Sequence, residues 1–529
     1  MRRMRNWMVV PMLIGAMATG VAMSADWPQW GGTHCRNLVS SEKNLPATFD
    51  PDKGRSRSGG NVKWVRKTGN ATYGNPTVAD GRVYVGTDDA TLSDDKRLKR
   101  TRGGLVQCFE EATGKPLWKL VIPKRTGLPK NIHYGHQHLG TCSSPTVEGN
   151  SIYVVTGAAE VLCLDARGQA NGNDGPYKDE SQYIAGRGKT PIEMTPSDGD
   201  ILWRFDLIDG AGSRPHDVAS CSVVVHGDYL YTSTSNGVDG PHKKVVAPDA
   251  PAMIALDKRT GRYVARENEG ISSRIWHAQW CSPSLGEVGG KTLVFLGGGD
   301  GIMYAFEALT GKPAASGAPA ALKTAWRYDC NPQNYRFRKG KEIPYYEGDK
   351  RKKWSTNDND GKFIGPSQII GTPVLYKNRV YVAIGQDPMH GRGKGMLHCI
   401  DPTKTGDITK SGKIWTYDGL DRTMATVSIA GGLLYISDVA GRLHCLDADT
   451  GKLHWVYGTN AETWGGALLA DGKAYLATKK YLYVFAQGRK IKLLSKIRLG
   501  SAIYSTPIAA NGVLYVASQR ELWAVSAKP

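Results

Sequence analysis

One aromatic position recurs eight times in the same local setting, and this repeat constrains the fold more than any other feature of the chain. It falls at Tyr84, Tyr153, Tyr231, Phe295, Tyr381, Tyr435, Tyr475 and Tyr515. Around it runs a single unit: a small residue, often a Pro two positions on, a tight turn, an apolar strand, then an aliphatic-acidic pair, Gly-Lys and Trp. The cleanest copy is MATVSIAGGLLYISDVAGRLHCLDADTGKLHWVYG, Met424 to Gly458. The last three aromatics are 40 residues apart. A period of about 40–45 residues is that of a four-stranded unit that buries its faces only by stacking on its neighbours. Earlier spacings are longer, which places the excess in loops.

Each unit supplies a strand A, a two-residue turn (DG at 80–81, GN at 149–150, GD at 227–228, NG at 511–512) and strands B, C and D. Such turns supply the positive φ that tight hairpins need. The last unit stops after strand C, at RELWAVSA, and lacks a fourth strand. GNVKWVRKTG, from Gly60, has the Gly-x-x-x-Trp spacing of GKPLW (114–118) and GKLHW (451–455). The N-terminal strand therefore completes the last unit and closes a ring, leaving no open sheet edge to pair with another chain. The expected fold is all-β: an eight-bladed β-propeller over 60–529, preceded by a signal peptide at 1–24 and an N-terminal extension at 25–59.

The signal-peptide reading rests on Arg2, Arg3 and Arg5, the mostly apolar run from Trp7 to Ala22, and the small-x-small site Ala22-Met23-Ser24. No later stretch is long and apolar enough for a transmembrane helix. No Cys stands at the cleavage point, so the expected product is soluble, periplasmic or extracellular, and not lipid-anchored. The net charge of +19 favours anionic partners. Much of the excess sits in 336–353, with eight basic residues against three acidic, read as a solvated insertion loop. Nucleic acid is not the expected partner. Of nine cysteines, Cys108, Cys163, Cys399 and Cys445 share one position of strand C, while Cys221 and Cys281 hold a small-residue position of strand A. These read as buried fillers. Cys35, Cys142 and Cys330 lie outside the pattern, which leaves a Cys35–Cys330 bridge open.

The signature D-x-x-T-G-K-x-x-W, present as EEATGKPLW (110–118) and DADTGKLHW (447–455), resembles the tryptophan-docking motif of the pyrroloquinoline-quinone-like propeller family. DWPQWGG (26–32) resembles the leader of exported bacterial members. The resemblance spans essentially the whole mature chain and implies the fold; its functional implications divide. One branch consists of quinoprotein alcohol dehydrogenases, which hold the quinone over Ca²⁺ and commonly carry a vicinal disulfide beside it. This chain has no Cys-Cys pair and no C-x-x-C-H haem signal. The other branch is the lipid-anchored scaffold of outer-membrane β-barrel assembly. A fold does not settle a function.

Loop lengths locate a candidate site. The D–A links 119–140, 204–220, 267–280 and 327–370 and the B–C loops 87–105, 233–252 and 385–396 are long and emerge on one face. The A–B turns are short, and the C–D turns are mostly tight, with the insertion at 168–200 as the exception. Long ordered loops on a rigid scaffold carry function. In register, His138 and His216 lie seven residues before Pro145 and Val223, and His277 lies six before Pro283. Three neighbouring blades thus place a histidine at the channel mouth. Around them are Asp217, Trp276, Gln279 and Trp280, with Asn236, Asp239 and His242 from a B–C loop, and Asp387 and His390 further round. Imidazoles among carboxylates and aromatics suit a metal ion, an anion or a sugar; His138, His216 and His277 are the candidate metal ligands. His133 and His136 read as surface residues, and TNDNDGKF (356–363) as a polar turn and not a Ca²⁺ loop. No G-x-S-x-G, P-loop or H-E-x-x-H occurs. Three functions stay open: a non-catalytic propeller binding a small molecule, glycan or envelope protein on this face; a quinoprotein oxidoreductase using pyrroloquinoline quinone with Ca²⁺; and an envelope-assembly scaffold.

Overall fold

In the computed structural model, residues 25–56, 61–92, 95–348, 350–351, 366–388 and 395–527 are described. The signal-peptide segment, His390 and 356–363 lie outside them. Eight four-stranded antiparallel sheets form the blades of a β-propeller. Blade 1 runs Thr77–Ala79, Arg82–Asp88, Gly104–Glu110 and Pro116–Ile122. Blade 8 has three strands from the C-terminus, and its fourth is Val62–Lys67, antiparallel to Glu521–Ser526. The ring closes as the repeat requires.

The repeated residues form one ladder across each blade. Tyr84 of strand B faces Cys108 of strand C, which faces Trp118 of strand D. Tyr153–Cys163–Trp203, Tyr381–Cys399–Trp415 and Tyr435–Cys445–Trp455 repeat it, with Ala305 in the small place between Phe295 and Trp326. The small middle residue leaves room for two large rings, and burial pushes thiols such as Cys163 up to about 12. All nine cysteines are free, including Cys35 and Cys330, so no bridge joins them. Except at Trp326, the indole N–H of this Trp donates to the next blade. The indole N–H of Trp64 donates to Glu111 O (2.8 Å), that of Trp118 to Ala166 O (2.9 Å) and that of Trp455 to Gly488 O (3.0 Å). The glycine of the turn must lie flat beneath the ring: a Cβ on Gly114, at φ +67°, would sit 2.6 Å from the Trp64 ring. Sequence and packing agree here because one side chain serves both the ladder and the joint.

The C–D connections depart from expectation in two further blades. Ala320–Ala321 pairs in parallel with Tyr263–Arg266, and Gly406–Asp407 with Thr324–Asp329. Each lies in the C–D link of the following blade and covers the outer edge of its neighbour, where exposed N–H and C=O groups would otherwise remain. The basic stretch is also more than a solvated loop. It forms short hairpins, and Tyr345 and Tyr346 pack against Trp276 with ring centres 5.2 and 5.4 Å away. No helix among the described residues is long and apolar enough to cross a membrane.

The N-terminal extension threads the A–B end of the central channel and touches the innermost strand of every blade. Trp27 bridges Val78, Val147 N–H donates to Pro28 O, and Leu285 N–H donates to His34 O. Arg36 donates to Val223 O and Pro283 O, Trp30 to Thr372, and Ser40 to Ala509 O, while Asn37 exchanges two bonds with Ile429 and Val39 bridges Leu469. Arg36 is fully buried, and desolvation pulls its guanidinium down to about 9. Its N–H groups are met by backbone carbonyls and by Gln29, which satisfies the donors with neutral acceptors. The extension therefore floors the channel at its A–B end.

Candidate metal centre

The loops entering blades 3 and 4 are stitched together by isolated bridges between Pro215 and Asn236 and between Gly237 and Ala278. Gly237 makes this possible. A Cβ there would meet His216 Cβ and His277 O at 2.7 Å, so only glycine lets the two histidine-bearing segments close on one another. His242 comes from the B–C loop of blade 3. Asp239 accepts Lys243 N–H (2.7 Å) and Lys244 N–H (3.3 Å), folding that loop so that His242, at φ +56°, turns inward.

The result is a three-imidazole group. Ring centres lie 4.5 Å apart for His216–His277, 4.9 Å for His216–His242 and 4.8 Å for His242–His277. One ring nitrogen from each lies within 4.8 Å of the other two. His216 Nδ1 is 2.6 Å from Val238 O, and His277 Nδ1 is 3.1 Å from Asp387 Oδ2. Both partners only accept, so each Nδ1 carries the proton and each Nε2 presents its lone pair. His242 Nε2 stands 3.0 Å from His277 Nε2. Tetrahedral zinc with bonds of about 2.0–2.1 Å would space its nitrogens by about 3.3 Å. Burial, with His277 alongside, pulls His216 down to about 4, which keeps it in the neutral form that binds metal.

Asp217 stands beside this group, its Oδ1 3.6 Å from His216 Nε2 and 3.2 Å from His133 Nε2. Gln137 donates to the same oxygen at 2.6 Å. His133, read from sequence as a surface residue, is half-buried and sets its ring, tilted, 5.0 Å from that of His216. His138 does not join it. Its backbone turns through φ +56° and its Nε2 lies 3.4 Å from Arg102 Nη1, so the histidine found by counting back from the strand is not the one of that link that meets His216. The other named residues hold the frame. Asn236 joins Arg214 N–H to Ala247 O, Gln279 clamps Gly297 and Gly299, and Trp276 donates to Asp300 O. Trp280 donates to Val218 O and sets its ring edge-on to His277 at 4.7 Å. The only signal for His133 was the link it shares with His138, and the register favoured His138.

Residues 393–491 match the family described as outer membrane protein assembly factor BamB. Quinohemoprotein alcohol dehydrogenase ADH IIB of Pseudomonas putida is 22% identical over 430 residues, covering 78% of this chain and 53% of the relative. The matches support a propeller built of pyrroloquinoline-quinone-like repeats. Lupanine 17-hydroxylase [cytochrome c] of a Pseudomonas species is 23% identical over 86% of this chain and 72% of its own. The chain thus spans about half the length of the first of these relatives. Among solved structures, BamB from Moraxella catarrhalis superimposes with a TM-score of 0.48 at 12% identity, covering 87% of this chain and 97% of that one. The quinohemoprotein alcohol dehydrogenase of Comamonas testosteroni gives 0.45 at 13%, covering 95% and 80%.

The central channel does not fit the quinone. Above Trp30 it leaves about 150 Å³, below the roughly 300 Å³ at which small-molecule pockets begin. A ring of neutral groups lines it. Asn75, Ser144 and Ser222 N–H groups each donate to the next blade's hydroxyl at 2.9 Å, and Thr506 N–H closes on Asn75 Oδ1 at 3.0 Å. Neither an acidic nor a basic side chain lines this cavity among the described residues, whereas a tricarboxylate over Ca²⁺ needs both.

Proposed function

We propose that this propeller is an exported metalloprotein that holds one divalent transition ion on its loop face through His216, His242 and His277 and uses the fourth position to bind a ligand. The observation that carries this reading is the pair of Nδ1 hydrogen bonds, to Val238 O and Asp387, which aim two Nε2 lone pairs at one point beside His242. Imidazole ligands suit zinc, copper or nickel, and three protein ligands with an open position distinguish a reactive or ligand-binding ion from a structural one. Asp217 and His133 border the open position and hold whatever binds there, water included.

Titration with Zn²⁺ by calorimetry tests this directly. One equivalent binding in the micromolar range or tighter is expected, and the loss of that binding in His277→Ala. A wild-type protein that takes up no zinc, copper or nickel would sink the proposal.

A quinoprotein oxidoreductase is the second reading, favoured by the curated relatives alone. Titration with pyrroloquinoline quinone, with and without Ca²⁺, is expected to give no saturable absorbance change, because the channel lacks room and charge. Saturable binding would reverse the order of the two readings.

A further inference from the structure

A separate groove of about 650 Å³ opens on the rim of blades 1 and 2, beneath the insertion at 168–200. Its walls carry Arg100, Lys124, Arg125, Arg187, Lys189 and Arg204, against Glu160, Asp179 and Asp206. Two of these acids are already engaged. Buried Glu160 takes Arg204 Nη1 at 2.9 Å and the Tyr183 hydroxyl at 2.7 Å, and Asp206 takes Arg125 Nη1 at 2.7 Å. Lys124, Arg187 and Lys189 are in no ion pair among the described residues. Tyr177 and Tyr183 meet edge to face at 6.5 Å, with the Arg204 guanidinium about 6 Å from both rings.

We infer that this groove binds an acidic polysaccharide. Unengaged cations placed beside fixed aromatic rings take the carboxylates or sulfates and the apolar faces of successive sugars. Exposed Asp179 accepts from the sugar hydroxyls that lie between the acid groups, hydroxyls that a DNA strand does not offer. Lys124 and Arg125 also line the small cleft that holds Arg102, His138 and Asp217. The groove is a site apart from the metal group and does not depend on it.

The test uses the full protein at low salt, titrated with oligogalacturonate, heparin oligomers, neutral dextran and oligothymidylate. At least one acidic glycan is expected to bind, weakening as salt rises, while dextran does not. The carboxylate and sulfate arms identify the acid group recognised. The triple variant Lys124→Glu/Arg187→Glu/Lys189→Glu is expected to bind at least tenfold more weakly, with an unchanged thermal melt. Tyr177→Ala is expected to weaken binding without any change of charge. His216→Ala is expected to keep wild-type glycan affinity, so loss of the metal and loss of the groove are separate results. Failure of both acidic glycans, indifference to the charge reversal, or equal binding of oligothymidylate would each overturn the inference.

Discussion

The two sides of the channel mouth are built from the same repeat position and have become different surfaces. Immediately before the small residue of strand A stand Trp464, Tyr504 and Tyr73 in blades 7, 8 and 1, and Ser220 and Trp280 in blades 3 and 4. On the first side the three aromatics stack on one another, at 4.2 Å for Trp464–Tyr504 and 5.5 Å for Tyr73–Tyr504. Short links deliver them, and the rings fill the space that loops would need. On the second side the links are long, Ser220 withdraws, and the loops fold back to place His216, His242 and His277 over the mouth. Link length decides which of the two forms: a short link leaves only a side chain to cap the channel, a long one brings backbone and a constellation.

The largest effect that would break this contrast is on metal affinity. His277→Ala removes one of the three proposed ligands and should cost more than the about 10–100-fold typical of losing an outer partner. Trp464→Ala, across the channel, should leave zinc affinity unchanged by calorimetry. If both variants bind zinc as the wild type does, the histidine side is a packed cap like the aromatic one. Asp387→Asn comes next. It keeps the shape but lets the Asn amide meet His277 Nδ1 as a donor, which disturbs the tautomer, and zinc affinity should fall by about 10–100-fold. Equal affinity in that variant would show that the Asp387 contact does not orient the ligand.

A stability effect follows. Trp464→Ala removes two ring contacts, to Tyr73 and Tyr504, each worth about 0.5–1.5 kcal/mol. Denaturant melts should show a loss of that order, while His277→Ala without metal should lose less. The reverse ranking would mean that the histidine side supports the fold and the aromatic side does not.

How much could be read from sequence follows the same division. The blade ladder was legible because Tyr84, Cys108 and Trp118 each serve the interior and recur at fixed spacing, so every copy confirms the others. Ring closure by Trp64 was legible for the same reason. The route of residues 25–42 through the channel was not: Arg36 and Asn37 make their bonds to backbone carbonyls and amides, which leave no side-chain pattern to read. At the site, register grouped His216 and His277, whose rings lie 4.5 Å apart, because both sit close to strand A. His133 and His138 lie in a link where Gly135, His138 and Gly140 all turn through positive φ, so distance along the sequence no longer measures distance in space. Asp387 was seen only as a nearby carboxylate, and its bond to His277 crosses from blade 4 to blade 5.

Histidines themselves sharpen the comparison last. His398, in strand C of blade 5, is buried and pulled down to about 4, as His216 is, yet it has no part in the site. Its Nδ1 lies 3.3 Å from the Tyr328 hydroxyl, and its Nε2 has no partner. Burial dominates the shift, the neighbouring Cys330 backbone opposes it, and Lys413 adds a smaller downward push. The folded-state value is depressed below the ordinary 6.5, so between the two values the unfolded chain binds more protons than the native one. Stability is therefore fully present above pH 6.5 and is lost as pH falls toward 4. Between pH 7.5 and 5.5 this one residue should cost about 1 kcal/mol. His398→Leu, which gives up one weak hydrogen bond and an unpartnered nitrogen, should hold its stability at neutral pH and lose less on acidification than the wild type, measured by denaturant melts of the metal-free protein. His277→Ala should leave the share due to His398 in place. An acid loss that vanishes with His277 and survives His398→Leu would assign the whole pH response to the loop face, and would mean that the buried histidine of the repeat is protonated without cost.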